Sequence, residues 1–196
     1  MKLNKPTVKK TSKIELWKVK SSKYPLKDKW IKVRADECFT KAGVRIAPYY
    51  VLEYSDWVHM VVVDVKQRIL ITRQYRHGAG RVITELPCGT VESRDKSHLA
   101  AAKRELMEET GYSGTFTLVA TTSPNPANHA NKIYTYLVTD PTRRKNPESN
   151  PFEILDYRFA DIKTILKLID NREFAQAIHI SSLFLALRKA KNIDWL

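Results

Sequence analysis

The sequence predicts an α+β fold, with helices packed on mixed β-sheet, and three observations carry that expectation. Strand-like segments rich in valine, isoleucine and tyrosine dominate the first half of the chain. One helical stretch, Ser97–Thr110, interrupts them before more strands follow. Two helical segments then close the chain, an order that suits helices segregated onto sheets rather than strict strand–helix alternation.

Taken in order, residues 1–12 have the look of a frayed terminus. Ile14–Lys20 reads as a strand with imperfect alternation. Trp30–Val33 and Val44–Glu53 flank the turn-like Lys41–Ala42–Gly43 and predict a hairpin. Val58–Val65 is valine-rich and is expected to pair with Ile69–Gln74 across Lys66–Gln67–Arg68. The Ser97–Thr110 helix meets Gly111, a residue suited to a left-handed C-terminal cap. Phe116–Thr121 and Lys132–Val138 are strands flanking a loop rich in proline and asparagine. The closing helices are Ala160–Asp170 and Glu173–Lys189; in the second, Phe174, Ala177, Ile178 and Leu185 recur at helical spacing.

Composition narrows the classes. The 196 residues suffice for one domain with a full core, and a mean hydropathy of −0.40 with 28% charged residues reads as soluble and globular. No apolar run approaches the roughly 20 residues of a membrane helix; Val61–Val65 and Ile178–Leu187 are short. The charged start MKLNKPTVKK has no apolar stretch behind it, so no secretory signal is expected. Cys38 and Cys88 make no disulfide framework, and reduced thiols in the cytoplasm are the simplest reading. Of the net charge of +13, +8 falls in residues 1–30, where ten lysines face only Glu15 and Asp28. A nucleic-acid enzyme would more often carry arginine with aromatics in its folded body, so nucleic acid is not the expected partner, although the basic arm leaves it open.

The chemistry concentrates at the end of the first helix. Glu105, Glu108 and Glu109 fall at i, i+3 and i+4 and share one face, while Leu99 and Leu106 lie roughly 110–130° round it at 3.6 residues per turn. A solvated acidic face is the alternative, and it fits poorly. Like charges four residues apart repel, and the C-terminal end of a helix disfavours anions. Three carboxylates converging there are what a hard cation such as Mg²⁺ requires.

Arg104-Glu-Leu-Met-Glu-Glu-Thr-Gly111 resembles the second half of the Nudix hydrolase signature Gly-x5-Glu-x7-Arg-Glu-U-x-Glu-Glu-x-Gly-U (U aliphatic or aromatic), with Tyr112 in the last place. Arg73-Gln-Tyr-Arg-His-Gly-Ala-Gly-Arg81 and Glu85-Leu-Pro-Cys-Gly89 are similar to the ADP-ribose pyrophosphatase branch of that family. One departure stands out. The interval from Gly89 to Arg104 is one residue longer than the signature, so the upstream glutamate position falls on Asp95 counted from Gly89 and on Lys96 counted from Arg104. A one-residue insertion in the loop before the helix accounts for it.

The resemblance implies a Nudix fold, an α/β/α sandwich with mixed sheet, preceded by N-terminal antiparallel strands. Residues 1–52 would be the basic arm and strands, and 53–196 the hydrolase domain. It implies water attack at one phosphorus of a diphosphate, with Mg²⁺ as cofactor and Mn²⁺ the alternative. Glu105 and Glu109 would be the main metal ligands, joined by the Cys88 carbonyl. Glu108 would be a third ligand or a base, and Arg104 would orient a glutamate through an ion pair. The Cys88 side chain reads as a small packed hydrophobe rather than a nucleophile.

Arg76 and Glu85 resemble substrate-contacting residues; the alternative is a structural pair across strands. Gly89 falls in the same substrate-facing block. Trp57, like Trp17 and Trp30, could stack on a nucleobase or pack in a core or dimer interface. The loop Ser123–Asn131 holds no carboxylate where relatives often carry a basic glutamate; His129 is its candidate, with the helix carboxylates otherwise supplying the base. A homodimer is expected, since N-terminal strands of the resembling family often exchange between subunits. The leading function is hydrolysis of ADP-ribose or a related nucleoside diphosphate sugar. A hydrolase of RNA 5′ ends or other nucleotides and a non-catalytic Nudix-fold binding module are the alternatives.

Overall fold

A computed structural model describes residues 15–148 and 156–190; the basic arm of residues 1–12 and Ile14 lie outside them. The chain divides into two compact units, residues 1–53 and 54–196. In the first, β1 (Lys18–Lys27), β2 (Lys32–Phe39) and β3 (Arg45–Glu53) form an antiparallel sheet in the order β1-β2-β3. Pro25 has no N–H to give the ladder, and the register slips between Lys23 and Leu26 where it sits. Asp36, only 4% exposed, is held charged by Arg34 Nε at 2.9 Å and by the Ser22 hydroxyl at 2.6 Å. Every residue of β1 is exposed. Trp30 is 75% exposed with the Lys29 ammonium 4.4 Å from its ring centroid, while Trp17 packs edge-on against Tyr49.

The second unit is built on β4 (Trp57–Val62). It pairs antiparallel with β7 (Cys88–Thr90) and parallel with β9 (Ile133–Arg143), whose far side carries β8 (Tyr112–Thr122). A second, antiparallel sheet runs β10-β5-β6, from β10 (Asp156–Ala160), β5 (Ile69–Arg76) and β6 (Arg81–Glu85). On one side, α1 (His98–Thr110) lays Ala101, Ala102 and Leu106 against Val58, Met60 and Val62 of β4. On the other, α2 (Ile162–Asp170) and α3 (Ala177–Lys189) bury Ile165, Leu183, Ala186 and Leu187 with Val61 and Ile71. This is the expected layering of helices on mixed sheet. Because β4 is covered on both faces, it reads as a continuous apolar run rather than an alternating one.

Several elements differ from expectation. β4 and β5 do not form a hairpin: beyond one bridge from Val63 to Ile69 they enter different sheets. Lys66–Arg68 is a turn, with the Asp64 carboxylate accepting the Lys66 and Arg68 amides, but both edges of β4 are already taken by β7 and β9. β6, β7 and β10 are short strands that sequence pattern did not reveal. Ala160 ends β10, and Asp161 caps α2 by accepting the Thr164 amide at 2.7 Å. α3 begins at Ala177 rather than Glu173, and its inward face is His179, Ser182, Leu183, Ala186 and Leu187, with Phe174 buried ahead of the helix.

Two histidines are packed into this core. His59 of β4 and His179 of α3 stack with centroids 4.2 Å apart. His59 Nδ1 meets Ser182 Oγ at 2.9 Å, and Ser182 Oγ meets Thr135 Oγ1 at 2.9 Å, tying β4, α3 and β9 together. Burial pushes His59 down to about 3 and His179 well below its ordinary range, so both rings are neutral in the folded protein. The unfolded chain takes up two protons that the folded one refuses, so this contribution is intact above about pH 6.5 and is lost as pH falls below it. Thermal unfolding should show Tm falling between about pH 7 and pH 5, before most carboxylates titrate; a flat Tm there would contradict the neutral burial.

Candidate active site

α1 is fixed at both ends. Ser97 Oγ accepts the Ala100 amide at 3.1 Å, and Gly111, at φ 73°, donates its N–H to the Met107 carbonyl. Glycine is required there twice over, because a Cβ would lie 2.0 Å from the Lys145 carbonyl oxygen. With the apolar residues of α1 turned into the core, Glu105, Glu108 and Glu109 are left on the other side.

Glu105 and Glu109 meet β7, an edge strand. Residues 87, 89 and 91 turn to β4 and the segment before it, so the Cys88 and Thr90 amides point away from the sheet. Cys88 N–H donates to Glu109 Oε2 at 3.1 Å and Thr90 N–H to Glu105 Oε1 at 3.2 Å. The two-residue period of a strand thus matches the four-residue interval of a helix face. Gly89, between them, makes the approach possible: a Cβ there would stand 2.0 Å from the Glu105 carboxyl carbon.

Arg104 holds the assembly together. Its Nε and Nη2 grip Asp95 at 3.0 and 2.9 Å, Nη1 meets Glu105 Oε1 at 2.9 Å and Glu108 Oε2 at 3.0 Å, and Nη2 also donates to the Thr90 carbonyl. The inserted loop therefore keeps a carboxylate at Asp95, which faces Arg104, while Lys96 is exposed. Arg104 holds Asp95 below its usual range, whereas burial raises Glu105 to about 7 despite the guanidinium beside it.

A cavity of about 700 Å³ opens beside these glutamates. Glu105, Glu109, Cys88, Gly89 and Thr90 line one part of it, Gln74, Arg76, Glu85 and the turn His77–Ala79 another, and Trp57 and His59 of β4 with Ile178 and His179 of α3 a third, with Arg81, Ile83, Ala175 and Gln176 also on the wall. Glu108 is not on its wall; it is tied to Arg104, with Arg94 3.8 Å away. His129 is not on it either, and packs against Tyr54 and Trp57 with its Nδ1 buried.

Arg76 is paired with Glu85, which is fully buried: Nε and Nη2 lie 2.9 and 2.7 Å from Oε2, and Gln74 adds a third donor at 3.3 Å. The structural pairing foreseen as the alternative is thus present, and of the Arg76 nitrogens Nη1 alone has no partner among the described residues. The Cys88 sulfur sits 3.6 Å from Arg76 Nη2, and burial pushes its thiol up, making it a poor nucleophile. Glu85, Cys88 and His179 bring three ligand atoms within 4.8 Å of one another, a donor set of the kind zinc takes. The Glu85 carboxylate, however, is already neutralised by Arg76. His59, Gln74 and His179 went unseen in the sequence: His59 lies within a valine run and His179 within an apolar tail helix, where each reads as core.

The NUDIX domain family matches residues 54–179, and the family described as nucleoside diphosphate sugar hydrolase N-terminal domain matches residues 17–52. An uncharacterized Nudix hydrolase of Schizosaccharomyces pombe is 28% identical over 137 residues, 65% of this chain and 66% of that protein. The ADP-ribose pyrophosphatase of Mycobacterium tuberculosis is 32% identical over 110 residues, 55% of this chain and 53% of that one. The chain thus spans slightly under two thirds of the first relative's length and about half of the second's. A crystal structure of an ADP compounds hydrolase superposes with a TM-score of 0.80 at 19% identity, over 95% of this chain and 100% of its own, a likeness of fold. With the domain match covering well over half of its residues, this chain belongs to the Nudix family.

Proposed function

We propose that the protein hydrolyses the diphosphate of ADP-ribose or a related nucleoside diphosphate sugar, giving a nucleoside monophosphate and a sugar phosphate in the cytoplasm. The observation that carries this reading is the pair Glu105–Glu109, presented side by side on a cavity wall by the free amides of β7. The similarity to an ADP-ribose pyrophosphatase and the match of the N-terminal unit to a sugar-nucleotide hydrolase family support the substrate class.

The acidic wall fits a divalent cation. Burial raises the Glu105 carboxyl to about 7, Glu108 adds to the rise, and a positive charge on this wall would relieve it. Glu105 and Glu109 with the Cys88 carbonyl would hold Mg²⁺ or Mn²⁺, and such an ion would polarise the phosphoryl oxygens and acidify the attacking water. Arg104 fixes Glu105 through Nη1, with Glu108 and Asp95 balancing its charge. Nη1 of Arg76 offers a donor to a phosphoryl oxygen, and Trp57 an aromatic face to the base. Loop 123–131 has no carboxylate and His129 packs off the cavity wall, so proton removal falls to the helix carboxylates.

A phosphatase-coupled panel of ADP-ribose, sugar nucleotides, NADH, dinucleoside polyphosphates and 5′-triphosphorylated RNA, with and without Mg²⁺, tests the reading. Metal-dependent release of AMP from ADP-ribose is expected, with Glu109→Gln losing nearly all turnover in a folded protein. Unchanged turnover in that variant would overturn the metal assignment. Gly89→Ala should drive the Glu105 carboxyl from its seat, lowering kcat on the order of a hundredfold with the circular dichroism spectrum unchanged.

We further propose a homodimer in which a second copy covers the first unit's sheet. Every β1 residue is exposed, including Tyr24 and Leu26 at 46% and 48%. Light scattering should give about twice the 22.6 kDa chain mass; a monomer across micromolar concentrations would sink it.

A further inference from the structure

We infer that His179 is a substrate-reading residue, whose Nε2–H donates to an uncharged oxygen of the substrate. It rests on the hydrolase reading above and adds a residue from the tail helix to the site.

The ring's polarity is set by its surroundings. Its Nδ1 receives the Leu86 backbone amide at 3.1 Å, and an amide can only donate. Nδ1 is therefore the acceptor, and in the neutral ring the proton sits on Nε2. His59, stacked at 4.2 Å, and Phe174, edge-on at 6.5 Å, fix the ring plane. Protonating Nδ1 would break the Leu86 bond, and the groups around the ring oppose it: His59 and Arg76 both disfavour added positive charge, as does burial. The Glu85 carboxylate on the adjoining strand is already matched by Arg76.

His179 is 1% exposed yet lines the cavity. Among the described residues Nε2 has no hydrogen-bond partner, although a ring nitrogen lies within 4.8 Å of the Cys88 sulfur and a Glu85 oxygen. An N–H on a cavity wall that no protein group accepts is available to donate to a ligand there. The same proton argues against a soft metal at Glu85, Cys88 and His179, since a metal needs the nitrogen lone pair that Nε2–H does not offer. The Nε2–H is a single uncharged donor, beside a Glu85 charge already matched by Arg76. It therefore suits a hydroxyl or carbonyl oxygen better than a phosphate. Such an oxygen can come from the sugar or from the base.

Two substitutions separate binding from folding. His179→Asn keeps an acceptor oxygen near Nδ1 for the Leu86 amide but withdraws the donor from the cavity. His179→Gln keeps a reach similar to Nε2 but gives up the Leu86 acceptor. Titration calorimetry of ADP-glucose in Ca²⁺, together with kcat and KM in Mg²⁺, reads both. His179→Asn should weaken binding by about five- to tenfold and raise KM, with Tm near wild type. His179→Gln should lower Tm while retaining most of the affinity. Comparing ADP-, GDP- and UDP-glucose, then ADP-ribose against ADP-glucose, identifies the source. A penalty that varies with the base places the contact on the base; one that varies with the sugar places it there. Equal affinity of His179→Asn and wild type would overturn the inference and leave the hydrolase reading intact. A wild-type protein that neither binds nor cleaves any of these compounds would overturn both.

Discussion

The site depends on the clasp between the free edge of β7 and the acidic end of α1. Two amides that β4 does not use are matched to two glutamates one helical turn apart. A strand edge ordinarily presents unpaired N–H groups as a liability. Here the edge is three residues long and its donors hold the charged side chains that face the cavity. The clasp requires a bare backbone at Gly89, since any side chain would occupy the position of the Glu105 carboxyl. It also requires α1 to stop on time, which Gly111 ensures.

Arg104 resolves the electrostatic problem that this geometry creates. Three glutamates share the C-terminal half of α1, where the helix dipole adds to the repulsion, and Asp95 of the preceding loop joins them at Arg104. One guanidinium with its fork on Asp95 and its third nitrogen on Glu105 and Glu108 offsets much of this charge from the side away from the cavity. Burial still raises the proton affinity of Glu105 despite the guanidinium beside it.

Much of this was legible in the sequence, for identifiable reasons. The helix carrying the glutamates announced itself through 3.6-residue periodicity and a terminal glycine, and the C-terminal cap falls at Gly111 as expected. The order of strands and helices also followed from pattern. Pairing followed for the β2–β3 hairpin but not for β4, whose partners are decided by which strands compete for its edges and not by proximity along the chain. β6 and β7 are too short for a two-residue period to emerge. The roles of His59 and His179 were invisible for a different reason. Each lies in an apolar element, and only the fold brings the two rings together and opens them to the cavity. Glu108 shows the converse: its place in a motif suggested the cavity, while its contacts put it with Arg104.

The parallel pairing of β4 with β9 has a consequence for how the chain reaches this state. Lys132 reaches Asp56 across 76 residues of chain, and the strands that meet there form the middle of the sheet. During synthesis the valine-rich β4 must leave the ribosome long before its neighbour exists, with both faces apolar and one edge unmatched. Closing so long a loop is slow, and contacts of this range delay folding. The nascent protein should therefore be most prone to aggregate in the interval between completion of the first helix and emergence of β9. Chaperone capture during translation would fall in that interval, and truncated chains ending before Ile133 would be insoluble however intact their glutamates.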